Sequence, residues 1–173
     1  MLVARAQLNF IADLIARFAY NDGVMRPVVD YQSQYVAIIA LLRSVGHVFE
    51  KVDCIALDRR NWCKAQWPSW KQEAIFREFI EPSRNALLKE FQGGLQLHDG
   101  GFPHTAAVFD PSTPGGVSMV AAFNASEVRD SIGKPVLPQL YAAVEFWDHR
   151  LREAEVTFGE APASTSLPPK HSF

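Results

Sequence analysis

The sequence predicts an all-α protein, an up-and-down bundle of four helices with a β-hairpin inserted between helices three and four. Three observations carry that expectation. Apolar residues recur at spacings of three and four in separate stretches, the stripe that a 3.6-residue helix lays against a core. Runs of turn-forming residues divide those stretches. One region alone sets two strand-like runs, TAAVFD and VSMVAAF, around a centre rich in proline and glycine, DPSTPGG.

The elements follow in order. Leu8, Ile11, Ile15 and Phe18 stripe a first helix over 3–19, ended by Asn21-Asp22-Gly23. Tyr35, Ile38, Leu42, Val45, Phe49 and Val52 alternate three and four over 28–57, the seam of a helix packed along its length. Ser69 and Gln72 fit a capping box that opens a third helix. That helix carries Phe76, Phe79, Ile80, Leu87 and Phe91, with Pro82 expected to kink or restart it. Gly93-Gly94 ends it. The hairpin occupies 95–123, and a short helical turn follows at 126–131. Leu137, Leu140, Val144, Trp147 and Leu151 repeat the seam in a fourth helix. Residues 1–158 thus read as one domain, and 159–173 (GEAPASTSLPPKHSF) as a flexible tail with little to bury.

Composition narrows the function classes. Of 173 residues, 48% are hydrophobic and 21% charged, as in ordinary globular proteins. A net charge of −2 supplies no bulk attraction to nucleic acid, so such binding requires a local basic patch. Cys54 and Cys63 are the two cysteines, with no CxxC, which argues against a disulfide framework or a zinc knuckle. A reduced, cytoplasmic chain is the simplest expectation. The first twenty residues are interrupted by Arg5, Asp13 and Arg17 and lack a signal-peptide layout, and no apolar run reaches membrane-spanning length.

One residue breaks the pattern. With Phe76 at zero on a helical projection, Leu87, Ile80 and Phe91 fall at about 20°, 40° and 60°, and Arg84 at about 80°, the edge of the apolar arc. A guanidinium there needs partners, because desolvating it costs several kcal/mol (order of magnitude). Asp53 projects into the second helix's stripe, so one reading is a structural ion pair, Asp53–Arg84, joining helices two and three. Arg43 and His47, four residues apart on helix two, flank the seam and would line a cleft there.

A second reading comes from resemblance. LRSVGHVFEKVD followed by IFREFIEPSRNALLKEF is similar to the HEPN superfamily of small prokaryotic helical bundles, over residues 31–91. In that family an R-x4-6-H motif, its arginine often followed by asparagine, serves metal-independent ribonucleases that act as homodimers. Other members are inactive or bind nucleotides, often as toxins or defence components. Arg84-Asn85 matches the motif's opening. Lys89, Glu90 and Phe91 stand where its histidine belongs, so the motif is degenerate here. The resemblance implies a homodimer with Arg84 and Asn85 near the two-fold axis, an RNA or nucleotide ligand, and a cognate antitoxin as partner. Lys89 or His47 would substitute for the histidine if catalysis survives.

Two other constellations carry chemistry. Arg59, Arg60 and Lys64 interleave with Trp62, as single-stranded nucleic acid requires for phosphate pairing and base stacking. His98, Asp99 and His104 share one loop, but their spacing matches no ligand pattern, and no metal or cofactor is expected. The expectation is a HEPN-like nucleic-acid- or nucleotide-binding protein without catalysis. The alternatives are a helical interaction protein with a structural Arg84, and a ribonuclease with an unconventional base.

Overall fold

A computed structural model describes residues 1–19, 26–90, 95–97, 104–109, 111–123 and 128–166. Among them are five helices: α1 (Val3–Ala19), α2 (Val28–Val48), α3 (Leu57–Gln72), α4 (Glu81–Lys89) and α5 (Val136–Thr157). No described helix is long and apolar enough to cross a membrane. The predicted stripes form the core: Leu8, Ile11, Ile15 and Phe18 from α1, Ile38, Leu42 and Val45 from α2, and Leu140, Val144, Trp147 and Leu151 from α5 are all sealed from solvent. Together with Phe49 and Phe76 they make one continuous apolar cluster.

The count of four helices is corrected to five. The segment DRRNWCKAQWPSWK, expected as a connection, is α3, and its Cys63, Trp67 and Trp70 face inward at spacings of four and three. Pro68 hid that periodicity. It sits inside the helix because Lys64 and Pro68 are both exposed, so the missing amide hydrogen bond falls on the solvent side. Ser69 therefore opens no helix; its hydroxyl donates to the Gln66 carbonyl at 2.7 Å, within α3. The break comes at Glu73, an extended residue (ψ 135°) whose carbonyl accepts from Phe76 and Arg77 and so starts the next helical segment.

Two stretches are π-helical, Phe49–Asp53 after α2 and Phe76–Ile80 before α4. The second has a visible cause. Pro82 lies in the first turn of α4, has no amide hydrogen and crowds the carbonyl four residues back, and a wider turn accommodates both. The expected restart at Pro82 takes that form. Gly93-Gly94, the proposed stop, lies outside the described residues, as does the turn at Asn21-Asp22-Gly23.

The β-structure is more than a single hairpin insertion. β3 (His104–Phe109) and β4 (Val117–Phe123) pair antiparallel from Phe109↔Val117 to His104↔Ala122. β1 (Arg26–Pro27) adds to the far edge of β4, giving the order β1-β4-β3. β2 (Gln96–Leu97) pairs separately with β5 (Val128–Arg129). The helical turn expected at 126–131 is thus replaced, over its described part, by β5 and a loop. There Asp130 accepts the Ile132 and Lys134 amides and the Gln139 side chain at 2.8–3.0 Å.

Residues 159–166 belong to the segment expected as a flexible tail. This segment is strapped to the bundle: the Ala163 amide donates to Glu155 and the Thr165 amide to Asp148, both at 3.0 Å. The Thr165 hydroxyl donates to Asn9 on α1 at 2.9 Å. Residues 167–173 lie outside the described part. The strap covers an ion pair with both side chains fully buried. Arg5 donates to Glu155 through Nε and Nη2 at 3.0 and 3.1 Å, and to Asp148 and Thr165 through Nη1.

Candidate functional site

The site grows from one flank of α2. Ala40, Arg43, Ser44 and His47 are spaced three, one and three, which sets them on a single face. Opposite, Arg84 and Leu88 stand one turn apart on α4. These six residues line an open groove of about 340 Å³. Arg43 and Arg84 are half-buried and His47 is exposed. Arg43 lies over the Phe76 ring at 5.4 Å and reaches the Glu81 carboxylate only at 4.0 Å. Ser44 accepts from Gln7 of α1 and donates to the Leu41 carbonyl at 2.8 Å, which fixes its side chain at the groove wall.

The Asp53–Arg84 ion pair does not form. Asp53 directs its two carboxylate oxygens to the Val3 and Ala4 amides, at 2.7 and 2.9 Å, and so caps α1 from another element. The projection that joined Asp53 to Arg84 assumed 100° per residue, whereas the π-helical turn ending at Asp53 is wider and rotates it off the α2 stripe. Arg84 donates one bond, from Nη1 to the Asn85 side-chain oxygen at 2.9 Å, and makes no ion pair among the described residues. A guanidinium carries five N–H donors in a planar fork, so most of Arg84's capacity is open to the groove or to solvent.

Tyr35, buried on α2, lines a second cavity together with Ser83, the residue before Arg84, and Asp130. Burial pushes the Tyr35 phenol from 10.0 up to about 12; the Ser83 side chain opposes that rise and the Asp130 charge adds to it. The sign follows: the folded value lies above the unfolded one, so this contribution is whole below about pH 10 and is lost as pH rises through about 12. Its full size is about 2–3 kcal/mol. Denaturant titrations stepped through that alkaline window should show a steeper loss of stability for the wild type than for Tyr35→Phe. Parallel slopes would show that the phenol is not what titrates.

The remaining sequence candidates are dispersed. Asn85 is half-buried beside Arg84, while Lys89 is exposed and outside the groove lining. On α3, Arg59 pairs with Glu160 at 3.0 Å and lies over the Phe158 ring at 4.6 Å. Arg60 donates to the Ile55 carbonyl at 3.0 Å. Trp62 is half-buried against Phe49, Trp70 and Phe158, so its ring serves the core, and Lys64 projects to solvent alone. The fold does not gather these four into a stacking platform. His98 and Asp99 lie outside the described residues, and no group of three or more His, Cys, Asp or Glu converges among those described.

What sequence reasoning missed at the groove is its apolar and hydroxyl wall, Ala40, Ser44 and Leu88. The signal was available, since all three continue the helical spacings of Arg43, His47 and Arg84. Two guanidiniums, an imidazole and a hydroxyl facing one cavity suit an oxyanion, above all phosphate, which a planar fork can hold bidentately. Compared with known proteins, the chain matches no family model, no curated protein and no solved structure.

Proposed function

We propose that this protein binds a phosphate-bearing ligand, an RNA strand or a nucleotide, in the groove between α2 and α4. The observation that supports it is the convergence of Arg43, Ser44, His47 and Arg84, from two helices, on one open cavity. Arg84 is the anchor, because of the two arginines it is the one without an ion pair among the described residues. Arg43 shares its charge with Glu81, and His47 adds a second proton donor when protonated. This agrees with the resemblance to HEPN bundles, whose members meet their ligand at the equivalent arginine. The motif's histidine is replaced by Lys89, Glu90 and Phe91, and the proposal is therefore binding without cleavage. Assembly as a homodimer within a toxin–antitoxin or defence system belongs to the same reading.

The test is fluorescence anisotropy with labelled single-stranded RNA and, separately, a labelled nucleoside triphosphate, each at low and moderate salt. Arg84→Ala should weaken binding about tenfold or more, the worth of one charge-assisted bond. It should leave the melting curve within about 0.5 kcal/mol of wild type, as befits a residue without a buried partner. Equal affinity for variant and wild type, or no binding of either probe, refutes the proposal.

His47 supports one further reading, since the groove does contain an imidazole beside Arg84. Cleavage of the RNA probe by the wild type, abolished in His47→Ala, would turn the binding site into an active one.

A further inference from the structure

The groove between α2 and α4 has unlike ends. On α2, Tyr35 shares a cavity with Ser83 and Ala86, whereas Arg43, two turns on, meets Glu81 and the ring of Phe76. The two helices therefore run antiparallel. Leu88 is set toward Ala40, and the end of the groove that they share is apolar. Arg43 and His47 lie toward the other end, with Glu81 one turn before Arg84 on α4. The Glu81 carboxylate is 4.0 Å from Arg43 and half-exposed, so its charge stands at that mouth and opposes a second anion there. Between the ends, the lining carries two guanidiniums and an imidazole and no carboxylate. Its volume of about 340 Å³ is at the small end of ligand sites, which span about 300–1,000 Å³.

We propose that the groove is an end-binding site for a phosphate monoester, the terminal phosphate of an RNA or of a mononucleotide, and that Glu81 turns away a strand running through. This selectivity rests on the phosphate binding assigned to the groove above. A monoester carries a charge of about −1.5 to −2 at neutral pH and offers three terminal oxygens. Two arginine forks on opposite walls can share those oxygens, each fork taking a pair. A phosphodiester within a strand carries a single charge, and its neighbouring phosphates must leave the groove at both ends. On one side Glu81 opposes the next phosphate. On the other, Ala40 and Leu88 give it no donor, whereas they suit the apolar face of a base or ribose. The monoester thus sits between Arg43 and Arg84, with its nucleoside toward Leu88.

The experiment titrates the full chain calorimetrically with one short RNA in separate forms: 5′-phosphate, 3′-phosphate, hydroxyl at both ends, and a 5′-phosphate capped as its methyl ester. A phosphate-ended form should bind about tenfold or more tighter than the hydroxyl-ended form, and the methyl cap should remove the advantage. Arg84→Ala should reduce all forms to equal, weak binding. Glu81→Gln should strengthen the hydroxyl-ended form several-fold and so narrow the preference. Adenosine 5′-monophosphate, added as competitor, separates the sources. Displacement at the RNA's own affinity assigns the site to the free nucleotide, and displacement needing about tenfold more assigns it to the RNA end. Equal affinity for phosphate- and hydroxyl-ended RNA, both weakened by Arg84→Ala, overturns end selectivity and leaves phosphate binding in the groove standing. Absence of binding, or affinity unchanged in Arg84→Ala, removes that binding and the end selectivity with it. An end preference that Glu81→Gln leaves intact overturns the role of Glu81.

Discussion

Replacing Arg5 with methionine should destabilise the protein by about 3–5 kcal/mol, read as a lower urea midpoint at unchanged slope. Arg5 and Glu155 are each wholly buried, and their contact uses two parallel bonds, from Nε and Nη2 to the two carboxylate oxygens. Taking the arginine away leaves the Glu155 charge in a dry site, with the Ala163 amide as its remaining donor among the described residues. Asp148 suffers less, because it keeps Arg152 at 2.6 Å and remains partly exposed. The cost therefore belongs to stranding a charge, and a double variant tests that attribution. Arg5→Met with Glu155→Leu should recover most of the loss, since an apolar pair of similar volume can match or exceed a buried ion pair. A single variant within about 1 kcal/mol of wild type would mean that water reaches Glu155 and that the pair is not sealed.

Gly46→Ala should cost about 1–3 kcal/mol or more, although alanine is the better helix former by about 1 kcal/mol. A Cβ at Gly46 would sit 2.3 Å from Cη2 of Trp67 and 2.6 Å from Cη2 of Trp147. Trp147 cannot retreat. It is fully buried, stacked on Trp67 with 6.2 Å between centroids, and set edge-on to Phe76, Phe146 and Trp70. Trp67 is half-buried and is the ring that must move, which would loosen α3 from α2. Gly46 also neighbours His47 and lies in the same turn as Arg43, so the displaced backbone should distort the groove. The variant is expected to lose both melting temperature and affinity for the labelled RNA. A gain in stability would show that the two indoles repack freely.

The apolar seams of α1, α2 and α5 were legible because their spacing is regular and their faces are wide. α3 was not, although Cys63, Trp67 and Trp70 keep helical spacing, because Pro68 reads locally as a break and nothing local reveals that its carbonyl partner faces solvent. The two π-helical turns are invisible to a fixed angular step. That is why Asp53 was assigned to Arg84 when it caps α1. The buried guanidinium was sought in the wrong helix, yet its signal was present. Arg5 precedes Leu8 by three positions on the α1 stripe, and Glu155 follows Leu151 by four on the α5 seam, so opposite charges interrupt two stripes that must pack. The groove was legible in part, through Arg43, His47 and Arg84. Its closure into one cavity requires α4 to lie beside α2, a tertiary pairing that no local pattern announces.

The strap has a consequence for how the protein is made. Arg5 is synthesised well ahead of the residues that hold it, since Asp148, Glu155 and Thr165 lie 143 to 160 positions later. Until they emerge, α1 carries Arg5 on the face it must bury, and docking that helix would strand the charge. Contacts this distant in sequence close late, because the entropy of joining the ends precedes any reward. The bundle is therefore expected to assemble around α2 and its neighbours first, with α1 and the strap locking together as the final event of folding.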